Sequence, residues 1–202
     1  MLSLIRQKRT DRLVEALRQG DRDRLARLNG KFTPQTLLAP LSDPLNAIEI
    51  SLEAGQATSL EWVMTQLPEP CYCAATGEPY IVIALRQREN SLGLVTTLLQ
   101  AGADPNQTFE QRTLVHWCFE HCSPESLMLH LSRLNEYGAD LNDASLLTQA
   151  LEKDHQALVH FLIHSGTPLP DDLEGVNCAP DLITYAKRCA EDRRIREMML
   201  GR

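Results

Sequence analysis

The feature that most constrains this chain is the run LVTTLLQAGADPN, residues 94–106, in which an apolar helical pattern stops at a glycine. Its leucines and valine recur at the spacing of an apolar stripe along one face of a helix. Gly102 stands where that helix should end, because glycine adopts the left-handed conformation at little cost. A near copy, LNEYGADLN, lies at Leu134–Asn142. The chain is therefore built from helices that end in a glycine and a polar turn.

Two helical segments precede each of these endings. One unit begins at Thr113, whose hydroxyl can cap a short first helix. Its second helix is predicted over Pro124–Glu136, where proline in the first turn needs no amide donor, and it closes on Gly138. The next copy is the most regular, with a first helix beginning at Ser145 and a second ending before Gly166. The repeating unit is thus a helix pair.

This pattern resembles the ankyrin repeat, in which a T-P-L-H-x-A opening and a second helix ending in L-L-x-x-G-A-D-x-N recur about every 33 residues. The resemblance is specific over residues 76–170. It implies an all-α fold, an ankyrin-type solenoid of stacked helix-turn-helix repeats with short hairpin loops. The glycine spacings are irregular, 36 residues from Gly102 to Gly138 and 28 from Gly138 to Gly166. We expect a lengthened turn at His121–Glu125 and a truncated hairpin at Asp143–Ala144.

Fainter copies flank this region, and no composition change marks a domain boundary, so a single solenoid over residues 1–202 is predicted. Its last segment is expected to hold a pair of helices, Asp181–Cys189 and Glu191–Leu200. The predicted divisions are 1–41 as an N-terminal capping repeat, 42–75 as a degenerate repeat, 76–109 and 110–142 as repeats, 143–170 as a shortened repeat, and 171–202 as C-terminal capping helices.

The net charge of −7 is unevenly distributed. Residues 1–31 hold nine Lys and Arg against four acids, and residues 181–202 hold six against four. Residues 32–180 hold only five against 19. The basic ends are interpreted as solvated terminal helices, and the alternatives are that they steer an acidic partner or make contacts between protomers. Nucleic acid is excluded as a partner because the acidic middle would repel phosphate, and the basic start lacks interleaved aromatic residues.

The compartment is predicted from the start of the chain and from its cysteines. Only four residues separate Met1 from the first charge, too few for a signal-peptide core. No apolar run approaches the roughly 18–20 residues that span a bilayer. We therefore expect a cytoplasmic, monomeric protein without membrane contact. Its six cysteines are then expected to be free thiols.

One segment of the chain has the residue types of a metal site, although its residues also fit structural roles. The best metal candidate runs from His116 to Cys122, in which Cys118 and Cys122 lie one turn apart on the same helical face. Only Cys71 and Cys73 could supply a second pair of ligands, and their C-x-C spacing is a poor match to zinc sites. His116 instead matches the motif histidine of the ankyrin family, and Cys118 its small-residue position. We expect no metal site and no cofactor here.

Other reactive side chains give no stronger signal. His160 and His164 are one helical turn apart, and are interpreted as exposed polar residues rather than a metal pair. Cys189 has no nearby histidine in the sequence. Glycine-rich phosphate loops are absent. These observations favour a protein that is not an enzyme.

The resemblance implies a protein-protein interaction module that binds a partner through the concave helix face and the hairpin tips. The alternatives are a dedicated inhibitor or immunity-type protein that blocks one enzyme, and a Cys/His metal-binding protein. Transferred copy by copy, the predicted partner-binding residues are Glu120, His121, Glu152 and Lys153. An inserted turn blurs the register in the third copy, where Arg86, Arg88 and Glu89 are the candidates. Phe109 in the hairpin is predicted as an exposed aromatic anchor, with Trp117 beside it as either a contact or a core residue.

Overall fold

A computed structural model describes residues 2–173 and 175–201. It is mostly helical, as the all-α prediction requires. The helices are α1 (Leu2–Gln19), α2 (Arg22–Ala26), α3 (Pro34–Leu38), α4 (Ala47–Glu53), α5 (Ala57–Gln66), α6 (Tyr80–Leu85), α7 (Ser91–Gln100), α8 (Leu114–His121), α9 (Pro124–Glu136), α10 (Ala144–Glu152), α11 (Gln156–His164) and α12 (Pro180–Met199). The strands β1 (Thr108–Phe109) and β2 (Arg112–Thr113) form one antiparallel hairpin.

The chain divides into two compact units, Met1–His130 and Leu131–Arg202. In the first, α4 pairs with α5 and α6 with α7, each pair joined by a short turn. A hairpin-like turn stands directly before the first helix of three successive pairs. Two of these turns are single antiparallel bridges, Ser42↔Leu45 and Cys73↔Pro79, and the third is β1–β2.

Side-chain caps explain where the first helices begin. The Asn46 side chain accepts hydrogen bonds from the start of α4, and the Glu49 carboxylate accepts one from the Asn46 amide, which completes a capping box. Thr113 caps α8 by accepting from the His116 amide, as the sequence predicted. Asp143 caps α10 in the same way. Each cap satisfies amides that a helix start leaves without a partner.

The glycines end the second helices as the sequence predicted. Gly102, Gly138 and Gly166 all have φ near +100°, at +102°, +88° and +111°. After each glycine the next amide bonds back five residues, as from Ala103 to the Leu98 carbonyl. This Schellman-type closure requires a left-handed residue, so glycine at these positions directly determines the helix end.

The core of the first unit is made of aliphatic side chains from the facing sides of the helix pairs. Leu and Ile dominate it, in keeping with helix-on-helix packing. Its fully buried members include Leu13, Leu17, Leu25, Leu37, Ile48, Leu60, Leu85, Leu94 and Leu98.

In the second unit α10 packs on α11, and α11 packs on α12. The Thr167 hydroxyl, which is buried, donates a hydrogen bond to the Leu141 carbonyl and so ties the turn after α11 to the loop before α10. The predicted pair of terminal helices, Asp181–Cys189 and Glu191–Leu200, is wrong, because α12 runs through both. No glycine or proline lies between them, and Ala190 is a strong helix former.

The irregular glycine spacings have different origins from one another. The truncated hairpin at Asp143–Ala144 is confirmed, since Asp143 directly caps α10 and the described residues between α9 and α10 form no strand. The lengthened turn at His121–Glu125 is wrong, because only two residues separate α8 from α9. The extra length lies in α9, which has 13 residues where α7 has ten.

The arrangement of these units as one ankyrin-type solenoid stays a prediction. Within the described part of the chain, no helix is both long enough and apolar enough to cross a membrane.

Candidate interaction surface around Trp117

Trp117 is held in place by the helix and the hairpin that flank it. The pairing of Phe109 with Arg112 in β1–β2 brings the hairpin alongside the start of α8. The Trp117 indole nitrogen donates a hydrogen bond to the Phe109 carbonyl at 3.3 Å. The Thr113 hydroxyl lies 2.9 Å from His116 Nδ1, so these two side chains help to order the start of α8.

Two aromatic rings pack against the indole. His121, one turn along α8, stacks on Trp117 with 5.3 Å between ring centroids and an interplanar angle of 8°. Phe109 is tilted against it at 5.8 Å. The indole itself is only 3% exposed, so a partner would meet the groups around it rather than its face.

Two guanidinium groups also lie over the indole. Arg86 is 5.0 Å from the ring centroid and Arg112 is 5.7 Å from it. Each is paired with a carboxylate, Arg86 with Glu78 and Arg112 with Glu120. A cation over an aromatic ring contributes about 0.5–1 kcal/mol at exposed sites, and an exposed ion pair about 0–1 kcal/mol. These contacts therefore fix the orientation of both arginines more than they stabilise the fold.

We define the Trp117 surface as the cluster formed by these side chains. Residues 32–180 contain just five Lys and Arg among 19 acids, and three of the five gather here or beside it, namely Arg86, Arg88 and Arg112. The members of the surface are Glu78, Arg86, Phe109, Arg112, Trp117, Glu120 and His121.

A cleft of about 410 Å³ adjoins this surface, with Arg88, His121 and Cys122 in its lining. His130 lies at its inner wall and is 2% exposed. The His130 Nδ1–H donates to the Ser126 carbonyl at 2.9 Å, and Nε2 lies 3.2 Å from the Ser91 hydroxyl. The ring is therefore fixed, with Nε2 directed toward polar groups of the cleft.

Cys122 is chemically distinct from an ordinary cysteine. The hydrogen bond from Cys118 lowers the pKa of Cys122 to about 6, with further help from the hydrogen bond and charge of His130 and the charge of His121, and against the effect of burial. Burial raises the pKa of Cys118, and its contact with Cys122 adds to that rise. Burial would lower the pKa of His130, but hydrogen bonds to Cys122 and Ser126 raise it overall.

The structure brings five of the nine predicted partner-binding residues together on the Trp117 surface. Arg88 lines the neighbouring cleft, and Glu89 is exposed in the same turn between α6 and α7. Glu152 and Lys153 are exposed at the end of α10, in the other compact unit. The five residues of the surface are Arg86, Phe109, Trp117, Glu120 and His121.

Sequence reasoning missed Arg112 and Glu78. Arg112 had a usable signal, because it directly precedes the Thr113 cap and so lies in the hairpin that leads into α8. Glu78 gave none, since its pairing with Arg86 depends on how the loop before α6 folds back over the end of that helix.

The structure brings together a different set of metal-ligand candidates from the set that the sequence favoured. Within the described residues, the cluster that could hold a metal ion is His160, His164 and Cys189, and the His116–Cys122 segment does not form one. Cys189 has no histidine near it in the sequence, but the packing of α12 on α11 brings its sulfur to 3.8 Å from His160 Nδ1. All six cysteines are free.

No protein-family model, no curated protein and no solved structure matches this chain.

Proposed function

We propose that the chain is a non-enzymatic protein-interaction module whose contact region is the Trp117 surface. The observation that carries this proposal is the concentration of three of the five basic residues of the acidic middle around one aromatic cluster. Arginine and aromatic residues are the types that most often dominate binding energy at protein interfaces. The contacts already made within the cluster reduce the ordering that binding would require.

The ankyrin-type architecture is part of the same proposal. Hairpin-like turns before the first helices, short paired helices and glycine closures after the second helices all support it. In such a stack the hairpin tips and first helices are the exposed, preorganised elements. The expectations of a cytoplasmic, monomeric chain stay predictions.

The chemistry of the surface favours an acidic partner segment. A guanidinium has five N–H donors, so pairing with a single carboxylate leaves Arg86 and Arg112 able to donate further hydrogen bonds. Arg88, which is exposed, adds a third cation. Carboxylates on an extended partner segment could pair with these groups in a bidentate manner.

The test compares two variants of equal charge change in a pull-down from the native cytoplasm at low and moderate salt. The surface variant is Arg86→Ala, Arg88→Ala and Arg112→Ala. The control variant is Arg9→Ala, Arg12→Ala and Arg27→Ala, three exposed residues of the basic start. We expect a partner that wild type and control enrich and that the surface variant loses by at least about tenfold, as removal of about 1.4 kcal/mol of binding energy requires.

Each other outcome argues against the proposal. Equal loss in both variants would indicate non-specific attraction by positive charge. Loss in the control alone would place binding on the basic start. Thermal melts followed by circular dichroism would show whether the surface variant keeps its fold, and its binding is interpreted only at temperatures where it does.

A second candidate function rests on the charge of residues 32–180, which hold 19 acids against five Lys and Arg. A body of that charge suits a dedicated inhibitor that covers a basic active site. The inhibitor would then bind one enzyme, and added salt would weaken that binding strongly. The surface variant would still retain this enzyme in the pull-down. The same pull-down therefore separates the two functions.

A further inference from the structure

Three soft or borderline ligand groups converge in the second compact unit. His160 and His164 lie one turn apart on α11, with 4.2 Å between their ring centroids. Cys189 comes from α12 and is buried, with its sulfur 3.8 Å from His160 Nδ1. One ligand atom from each of the three residues lies within 4.8 Å of the others.

We propose that His160, His164 and Cys189 bind one zinc ion, or a divalent ion of the same type, between α11 and α12. Thiolate and imidazole are the ligands that zinc prefers. With Zn–S near 2.3 Å and Zn–N near 2.0–2.1 Å, tetrahedral ligands stand roughly 3.5 Å apart. The observed 3.8 Å separation of sulfur and Nδ1 is thus close to what coordination needs.

The surroundings orient one ligand of the site. The Tyr185 hydroxyl lies 2.9 Å from His160 Nδ1, and its ring is tilted against that of His160. This hydrogen bond orients the ring in the metal-free protein, and it must break when Nδ1 binds the ion, because one nitrogen cannot do both. His160 is exposed and Cys189 is buried, so the site opens to solvent on the His160 side.

Charged groups around the site both oppose and favour the binding of a metal ion. Burial lowers the pKa of His164, and the charges of His160, Arg196 and Arg193 lower it further, while Asp192 opposes them. The arginines also repel a dication, but Arg193 is tied to the Ile163 carbonyl at 2.8 Å and to Glu197 at 3.3 Å, which compensates part of its charge.

Binding of the ion by these three residues releases one proton. The Cys189 thiol loses its proton to solvent and binds as a thiolate, while the two imidazoles bind through neutral nitrogens without a further proton change. Three protein ligands leave a fourth tetrahedral position for water. Affinity should therefore rise with pH, as it does wherever a thiol must ionise.

Cobalt(II) is the probe for the first test, because a thiolate bound to it gives an intense near-ultraviolet charge-transfer band. The reduced 202-residue chain is titrated with Co²⁺, and Zn²⁺ is then added. We expect saturation at one Co²⁺ per chain with that band, which Zn²⁺ should remove. Absence of saturable binding, or binding without the band, would overturn the proposal.

The ligands are tested by Cys189→Ser, His160→Gln and His164→Gln. Cys189→Ser should abolish the band, and each histidine variant should weaken Co²⁺ binding by more than about tenfold, since loss of even an outer partner costs about 10–100-fold. Cys178→Ser, in the same unit, and Cys122→Ser are the matched controls and should keep the band. A band retained by Cys189→Ser, or lost in either control, would refute this ligand set.

A thermal measurement covers the case in which the buried Cys189 variant folds poorly. His160 is exposed, so His160→Gln should melt like the wild type without metal. Zinc should raise the melting temperature of the wild type and leave that of His160→Gln unchanged, because an ion joining α11 to α12 stabilises the folded state by its binding energy. Equal zinc shifts in both proteins would count against the site.

Discussion

At the scale of single residues, Cys118 and Cys122 show how position alone separates two identical thiols. Cys118 is fully buried in α8, where the cost of burying a charge keeps it protonated. Cys122, at the helix end, receives a hydrogen bond from Cys118 and lies near His121 and His130. The protonated thiol thus stabilises its neighbour as a thiolate. This makes Cys122 the expected nucleophile among the six cysteines.

The pH dependence of alkylation tests this difference. A thiol with a pKa of about 6 is mostly ionised at pH 7, so the rate of Cys122 alkylation by iodoacetamide should rise through pH 6 and level off by about pH 7. Burial and the charge of Asp154 raise the pKa of Cys178, so its rate should instead keep rising toward alkaline pH. Mass spectrometry of peptides after timed labelling measures both rates in one sample.

Variants of Cys118 test whether its hydrogen bond lowers the pKa of Cys122. Cys118→Ser keeps a donor and should leave the Cys122 profile near its original position, whereas Cys118→Ala removes the donor and should move the profile to higher pH. Alanine fits this small buried position, so the fold should be kept. Identical profiles in the two variants would show that Cys118 does not lower the pKa of Cys122.

At the scale of elements, the left-handed glycines are the strongest determinants of where helices end. Gly55 and Gly102 both have positive φ, at +65° and +102°, and both lie in the first unit. Their surroundings differ. A Cβ at Gly55 would make an ordinary contact with the Glu89 carbonyl at 3.5 Å, while one at Gly102 would lie 3.0 Å from the Tyr72 hydroxyl. That hydroxyl donates to the Ala101 carbonyl.

Alanine at the two glycines should therefore have unequal costs. Gly55→Ala should lower the free energy of unfolding by about 1–2 kcal/mol, the cost of a left-handed conformation for a residue with a Cβ. Gly102→Ala should cost about 1 kcal/mol more, because it disturbs the Tyr72 hydrogen bond as well. Urea unfolding of both variants measures the difference.

A double-mutant cycle attributes the extra cost. In a Tyr72→Phe background the hydroxyl is absent, so Gly102→Ala should cost no more than Gly55→Ala does. If the extra cost persists without the hydroxyl, the crowding explanation for Gly102 is incorrect.

Helix ends of this kind were predictable because their cause is local. Glycine before a polar turn defines the closure within a few residues, and the side-chain caps Thr113 and Asp143 are equally local. The length of α9 was not predictable, since a helix continues as long as packing supports it. Likewise, nothing in the sequence marked the continuity of α12 except the absence of a breaker, which is a weak signal.

Candidate sites were less predictable than helix ends, because their contacts are made between segments that are distant in the sequence. Four of the five predicted residues of the Trp117 surface lie within 13 consecutive positions, Phe109 to His121, around a predicted hairpin and a predicted helix. Arg86 and Glu78 pair through a loop that folds back, and Cys189 meets His160 across 29 positions through the packing of two helices. Such contacts depend on tertiary structure, and sequence spacing does not encode them.

At the scale of the whole molecule, uneven charge is the dominant electrostatic property. The 19 carboxylates of residues 32–180 must repel one another, because only five cations accompany them and three of the five gather around Trp117. The exposed ion pairs oppose this repulsion, but each contributes only about 0–1 kcal/mol. Net repulsion should therefore exceed pair attraction near neutral pH.

Salt should consequently stabilise the protein near pH 7. At 0.15 M ionic strength the screening length is about 8 Å, compared with about 30 Å at 0.01 M, so added salt weakens repulsion between distant carboxylates most. If screening recovers about 1 kcal/mol, the melting temperature should rise by about 2–4 °C for a chain of this size. The control is the same comparison near pH 5.4, the isoelectric point, where net repulsion is small and the rise should disappear. Calorimetry in sodium chloride at both pH values measures the two shifts, and a melting temperature that falls with salt at pH 7 would mean that the ion pairs, rather than the acidic excess, dominate the stability of the fold.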